Sequence, residues 1–189
     1  IGLSQEQGRV RVLNDQFVAA VELAIAGRPD DSRDLVNELL AQNDDDAMVH
    51  LMAIDYFASD VVRDLDAALT VAMKAVDLAD GDRQSEALFW VARLLAMQQD
   101  FVGSLGYVDQ VIEKNKDVPM PFMFRAQVLL ELGRTGEALE DYRRVEKLAP
   151  NTDLGQQARL QRLSLEGPTF SNVIQGDKYV VDLMQNSDF

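Results

Sequence analysis

The chain has one histidine, His50, and no cysteine. Thiolate nucleophiles, disulfides and Cys-based metal sites are therefore excluded. A single imidazole makes a poor metal site, because a metal ion needs several donors. His50 also lacks a Ser or Cys partner that it could activate. Asp44-Asp45-Asp46 resembles a calcium loop only superficially, since no glycine or glutamate falls at the spacing an EF-hand needs. These acids are better placed to N-cap the helix starting at Ala47, where negative charge meets the positive end of the helix dipole. Asp30-Asp31 before Ser32 reads the same way, and Asp80-Gly81-Asp82 reads as a turn.

Asp and Glu number 32. Paired-acid catalysis needs a pocket that drives two carboxyl pKa values apart, and no spacing here marks one. There is no phosphate loop, no Gly-x-Gly-x-x-Gly and no nucleophile elbow. No catalytic residue, metal or cofactor is expected, and the chain reads as a non-enzyme. With 18 Lys and Arg, the formal net charge is −14. Such a surface repels nucleic acid and anionic lipid. The one basic cluster, Arg143-Arg144 with Lys147, reads as a solvated helix face. No apolar run approaches the roughly 20 residues of a membrane span, and no stretch reads as a signal peptide. Ile1 in place of Met fits a processed chain or a piece of a longer one. Cytoplasm and bacterial periplasm both remain open.

What chemistry remains must come from surfaces, and surfaces come from the elements that carry them. The 189 residues suit one domain or one short solenoid. Hydrophobic residues are 47% of the chain, but aromatics only 7%. Gly and Pro together number 16, from 11 and 5. Regular helix built on Leu, Ala, Val and Met follows more naturally than a loop-rich β fold.

A period is visible. Leu88 matches Phe122, Ala92 Ala126, Leu95 Leu129, Ser104 Ala138, Leu105 Leu139, Val108 Tyr142 and Val111 Val145, every pair 34 residues apart. Within the later unit, Phe122, Ala126, Leu129 and Leu130 recur at helical spacing. Gly133 then stops the first helix, since glycine takes the left-handed cap conformation cheaply. Ala138, Leu139, Tyr142, Val145 and Leu148 stripe a second helix, and Pro150 ends it. Small residues at positions 126 and 138, as at 92 and 104, let the two helices cross closely. One hairpin leaves its apolar face bare, so such units stack.

Pro119–Pro150 resembles a tetratricopeptide repeat. The residues that carry the likeness are Phe122, Ala126, Leu129, Ala138, Tyr142 and Pro150, and the run Glu131–Leu139 is the most family-like stretch. Arg125, where Leu is usual, and Val145, where a small residue is usual, depart from the pattern. The likeness is strongest over residues 85–150 and extends by pattern to Leu13. Ala47–Ala58 and Leu65–Ala79 form one earlier pair, with Ala53 and Ala68 as crossing residues and an insertion near Asp60–Arg63. Leu13–Ala26 and Asp31–Asn43 form the first pair, split by Gly27-Arg28-Pro29. Asp153 is placed to cap a final helix running to about Leu165. The resemblance implies an all-α fold: a right-handed superhelical stack of antiparallel helix pairs, a TPR-like α-solenoid. About four repeats and a capping helix occupy residues 1–168, and an apolar tail occupies 169–189.

The resemblance also implies a function. Members of this family bind protein segments on the concave face made by the first helix of each repeat. Stepping from the expected crossing residues, that groove is Phe17, Val21, His50, Ile54, Phe57, Phe89, Arg93, Met97, Met123, Gln127 and Leu130. A core role for many of them is the competing reading. Phe17, Phe89 and Met123 stand where a carboxylate-gripping clamp needs Lys, which disfavours capture of a chaperone's C-terminal tail. The expected function is a protein-interaction module, an adaptor or assembly factor that holds an apolar partner segment. A dedicated single-client chaperone and a regulatory region of a larger enzyme are the alternatives. The tail carries Val173, Ile174, Tyr179, Val180, Val181, Leu183 and Met184, too apolar to stay free in water. Three placements stay open for it: its own groove, a neighbour's groove (giving a homodimer), or a cap on the last repeat.

Overall fold

The computed structural model describes residues 2–167, and the apolar tail at 169–189 lies outside them. Among the described residues there are nine α-helices and no strand. They fall into two compact units divided after Lys116. The first holds α1 (Gly2–Ile25), α2 (Pro29–Gln42), α3 (Ala47–Ala58), α4 (Leu65–Leu78), α5 (Gly81–Met97) and α6 (Phe101–Lys114). The second holds α7 (Pro119–Glu131), α8 (Thr135–Leu148) and α9 (Asp153–Glu166). Short connections make α1–α2, α3–α4, α5–α6 and α7–α8 antiparallel hairpins.

Local chemistry explains the boundaries. Asp46, Asp64 and Asp100 each accept a backbone N–H at the start of α3, α4 and α6, from Met48, Ala67 and Gly103 at 2.9, 3.0 and 2.9 Å. These side chains satisfy amides that the first turn would otherwise leave unpaired. Elsewhere the expected caps shift. Thr152, not Asp153, caps α9, accepting from Gly155 N at 3.2 Å. Asp30 and Asp31 lie inside the first turn of α2, where they act on its dipole without capping it. Asp80-Gly81-Asp82, read above as a turn, instead runs straight into a helix, since α5 starts at Gly81. The first helices of the first, third and fourth hairpins end on left-handed residues, Gly27, Gln99 and Gly133, with φ of 77°, 65° and 72°. In each, the following amide bonds back into the last turn: Arg28 to Leu23, Asp100 to Leu95, Arg134 to Leu129.

The hairpins close through small residues. Ser32 Oγ donates to Ala20 O at 2.5 Å, and Ser104 Oγ donates to Ala92 O at 2.7 Å. Both contacts span 12 residues and are buried, and the 12-residue spacing recurs between Ala126 and Ala138, both fully buried. The second hairpin differs from the expectation that Ala53 plays this part. The buried positions of α3 are Val49, His50, Ala53, Ile54, Tyr56 and Phe57. Shifted by 38 they become 87, 88, 91, 92, 94 and 95, the buried face of α5 completed by half-buried Leu95. Ile54 thus takes the place of Ala92. The extra length lies in the loop 59–64, against 98–100 in the next hairpin.

The first unit's core joins Phe17, Val36, Leu39, Ile54, Phe57 and Leu94 with their neighbours. In the second, Phe122, Val128 and Leu129 pack with Tyr142 and Val145 from α8, and Ala158 from α9 is fully buried. Each such large apolar side chain contributes about 1.5–3 kcal/mol on burial. Arg162 of α9 also grips Glu146 of α8 at 2.5 Å and Glu166 at 2.6 Å, while Arg143 reaches Glu166 at 2.6 Å.

Candidate functional site

The candidate site lies in the first unit, between the first helices of its hairpins. On α1 and α3 the residues Asn14, Phe17, Val18, Val21, Glu22, Met52, Asp55 and Tyr56 line an open cleft of about 300 Å³. Its floor is built from buried rings: Phe17 and Tyr56 are 6% and 3% exposed. Its walls present Val18, 48% exposed, with Val21 and Met52 half-buried. Sterically this is a concave apolar surface with polar groups at its edge, the usual form of a binding site.

The helical repeat explains the set. Ala20, Ile54 and Ala92 are equivalent positions. One residue on from each stands Val21, Asp55 and Arg93. Two residues before each stands Val18, Met52 and Trp90. The second row is apolar throughout, and the first carries opposite charges on adjacent helices. Arg93 lies over the Trp90 ring, its guanidinium carbon 4.3 Å from the centroid, which holds the cation flat against α5.

Asp55 is open to solvent at its tip, yet the concave wall removes much of its hydration. That desolvation pushes its carboxyl above the usual Asp range, opposed by the positive charge of Arg93. Neither Asp55 nor Glu22 has a side-chain hydrogen bond or ion pair among the described residues. Some other acids of the first unit do form ion pairs. Asp46 pairs with Arg9 at 2.5 Å, Asp64 with Arg33 at 2.7 Å and Asp44 with Lys74 at 3.2 Å.

The expected groove residues divide. Phe17 and Val21 line the cleft. On α5, Phe89 is half-buried, Arg93 is exposed and Met97 is 54% exposed. On α3, His50, Ile54 and Phe57 lie in the core, at 4%, 0% and 3% exposure. On α7, in the second unit, Met123 is buried, Leu130 half-buried and Gln127 exposed. The cleft residues missed by sequence reasoning include Val18, Met52, Asp55 and Tyr56. Opposite charges at equivalent positions, Asp55 and Arg93, were the available signal.

His50 Nε2 meets Asp44 O at 3.1 Å, and its Nδ1 has no hydrogen-bond partner among the described residues. No group of three or more His, Asp or Glu side chains there is arranged to hold a metal ion. No helix among the described residues is long and apolar enough to cross a membrane. The basic cluster is engaged by acids: Arg143 with Glu166, and Arg144 with Asp117 at 3.5 Å.

No protein-family model matches the sequence, and no curated protein does either. Solved structures do match by shape. Yeast Tom70 superposes with a TM-score of 0.66 at 17% identity, over 93% of this chain and 36% of that one. MamA from Desulfovibrio magneticus RS-1 gives 0.62 at 12% identity, over 94% and 97% of the two chains. The first TPR domain of Spaghetti (RPAP3), solved bound to the HSP90 peptide SRMEEVD, gives 0.55 at 18% identity, over 64% and 90%. The chain has the tetratricopeptide-repeat fold. With that fold, the odd-numbered helices α1, α3, α5 and α7 are the first helices of four repeats, and α9 is the helix that follows the last.

Proposed function

We propose that this chain is a protein-interaction module that holds a partner segment against the cleft between α1 and α3. One observation carries the reading: an apolar concavity walled by Val18, Val21 and Met52 stays accessible between two first helices. Exposed apolar surface of this kind costs free energy in water, and a partner's apolar side chains would relieve that cost. The match to the first TPR domain of RPAP3, which holds a peptide, supports a peptide-like partner. The likeness to yeast Tom70 and MamA supports the fold on which this reading rests. On α5, Phe89, Arg93 and Met97 extend the surface, and on α7 Met123 and Gln127 stand at the positions equivalent to Phe89 and Arg93.

Affinity capture from the native host, read by mass spectrometry, tests the proposal. The comparison is between the wild-type chain and Met52→Glu, which puts a charge on the cleft wall. Because Met52 also packs against the core, circular dichroism first verifies that the variant keeps its helical fold. A partner retained by the wild type and lost on Met52→Glu is the expected result. Equal capture by both would end the assignment of this cleft.

A further inference from the structure

We infer that the segment held in the α1–α3 cleft is a basic amphipathic one, presenting a Lys or Arg to Asp55 and Glu22 while its apolar side chains cover Val18 and Met52. The inference rests on the proposed interaction role and adds the chemistry of the partner.

Three observations point the same way. First, the cleft's two carboxylates lie at the edge of an apolar wall, and neither has a hydrogen-bonded or ion-paired partner among the described residues. Elsewhere in the same unit, Asp46 and Asp64 each combine a helix-capping bond with an Arg. Second, the wall desolvates Asp55, which raises its carboxyl above the usual Asp range and makes its charge costlier than in water. A donor cation entering the cleft would offset that cost, and charge-assisted hydrogen bonds of this type exceed neutral ones. Third, the cation that acts on Asp55, Arg93, is already engaged. Arg93 is laid over Trp90 and acts on Asp55 at a distance, without a hydrogen bond to it. The cleft is therefore complementary to a positive side chain. An acidic ligand would meet Asp55 and Glu22 as like charges, and repulsion of that kind discriminates strongly between partners. The peptide SRMEEVD held by RPAP3 is of the opposite type, with two glutamates, an aspartate and one arginine.

Selection from a random 16-residue peptide library displayed on phage tests this with the full chain immobilised. Three baits run in parallel: wild type, Asp55→Asn with Glu22→Gln, and Met52→Glu. Circular dichroism first verifies that all three keep the helical fold. Enriched wild-type sequences are expected to carry Lys or Arg within one helical turn of two apolar residues. The winning peptide, synthesised with a fluorophore, should bind the amide double variant about tenfold more weakly. It should bind Met52→Glu more weakly still. Peptides that lack basic residues and bind wild type and the amide variant equally would overturn the charge inference, while leaving the cleft as an apolar site. Absence of enrichment, or enrichment indifferent to Met52→Glu, would overturn the cleft reading along with it. A synthetic peptide of residues 169–189 that outcompetes every selected sequence would assign the cleft to the chain's own tail, and the proposal would fall.

Discussion

Arg125 and Asp141 form a two-pronged ion pair between α7 and α8, with Nε and Nη2 donating to the two carboxylate oxygens at 2.8 and 2.7 Å. The Asp141 side chain is 5% exposed and that of Arg125 25%. Arg125 also lies 5.5 Å from the centroid of Phe122. Position 125 is where the repeat pattern expects Leu, so the pair replaces an apolar contact inside the hairpin. Removing Arg125 strands the buried Asp141 carboxylate. Arg125→Leu should destabilise by about 3 kcal/mol, and Asp141→Ala by less, because the guanidinium keeps its ring contact and its exposure to water. The double variant Arg125→Leu/Asp141→Leu should recover most of the loss, because well-packed apolar residues replace buried pairs at little cost. Urea denaturation of the three variants checks it. A double variant as weak as the worse single would rule out the stranded-charge explanation.

The first and third hairpins offer a paired test. Ser32 Oγ has one proton, which goes to Ala20 O, so Tyr56 OH must donate to Ser32 Oγ at 2.8 Å. Ser32→Ala therefore strands a buried phenol, at a cost of about 1–3 kcal/mol. Ser104 has no such second partner, and Ala138 already stands at its equivalent in the fourth repeat. Ser104→Ala should cost about 1 kcal/mol or less. Thermal melts of the two variants should rank them in that order.

Gln99 adopts φ of 65° at the position where the first and last hairpins have Gly27 and Gly133. A side chain is strained there by about 1–2 kcal/mol. Gln99→Gly should raise the melting temperature, an unusual gain from adding glycine, offset in part by the larger entropy of the unfolded chain. A lower melting temperature would mean that Gln99 is not under strain.

Gly155, in the first turn of α9, packs against the backbone of Ala149. A methyl group there would fall inside the carbonyl oxygen of Ala149. Gly155→Ala should cost about 1–3 kcal/mol or more and loosen α9 from α8. Hydrogen exchange read along the chain should show faster exchange at 156–166, with α1–α6 unchanged.

Asp64 caps α4, and Arg33 sits beside it. The Ala67 amide, then the Arg33 guanidinium, hold its carboxyl below the usual Asp value near 3.8. A carboxyl depressed by folding contributes stability above its unfolded pKa and loses it as pH falls through the folded one. Asp64→Asn keeps a capping oxygen and removes the charge. At pH 7 it should be less stable than wild type by up to about 1 kcal/mol, a small value because the pair is partly exposed. At acid pH, once the folded-state carboxyl of Asp64 is protonated too, the two proteins should converge. Denaturant melts at the two pH values measure the difference.

Much of the fold was legible because packing imposes a repeated demand. Wherever two helices of a hairpin cross closely, the chain needs a small residue, and Ala92, Ser104, Ala126 and Ala138 meet that demand at a 34-residue interval. The glycine at 133, the proline at 150 and the aspartate at 46 mark helix ends through backbone chemistry that acts within a few residues. Local chemistry of that range is written in the order of residues, so sequence alone determined the helical class, the repeat and most of the hairpin boundaries.

The cleft was different. Helix α3 runs AMVHLMAIDYFA, apolar almost all the way round. A stripe that covers the whole helix has no phase, so the pattern could not say which side faces the core. Ala53 looked like the crossing residue, but Ile54 holds that place, in a repeat lengthened at loop 59–64. That rotation sends His50, Ile54 and Phe57 inward, and turns Met52 and Asp55 toward α1. Only the simultaneous packing of α1, α4 and α5 against α3 decided it, because burial is a property of all the neighbours together and of no single segment.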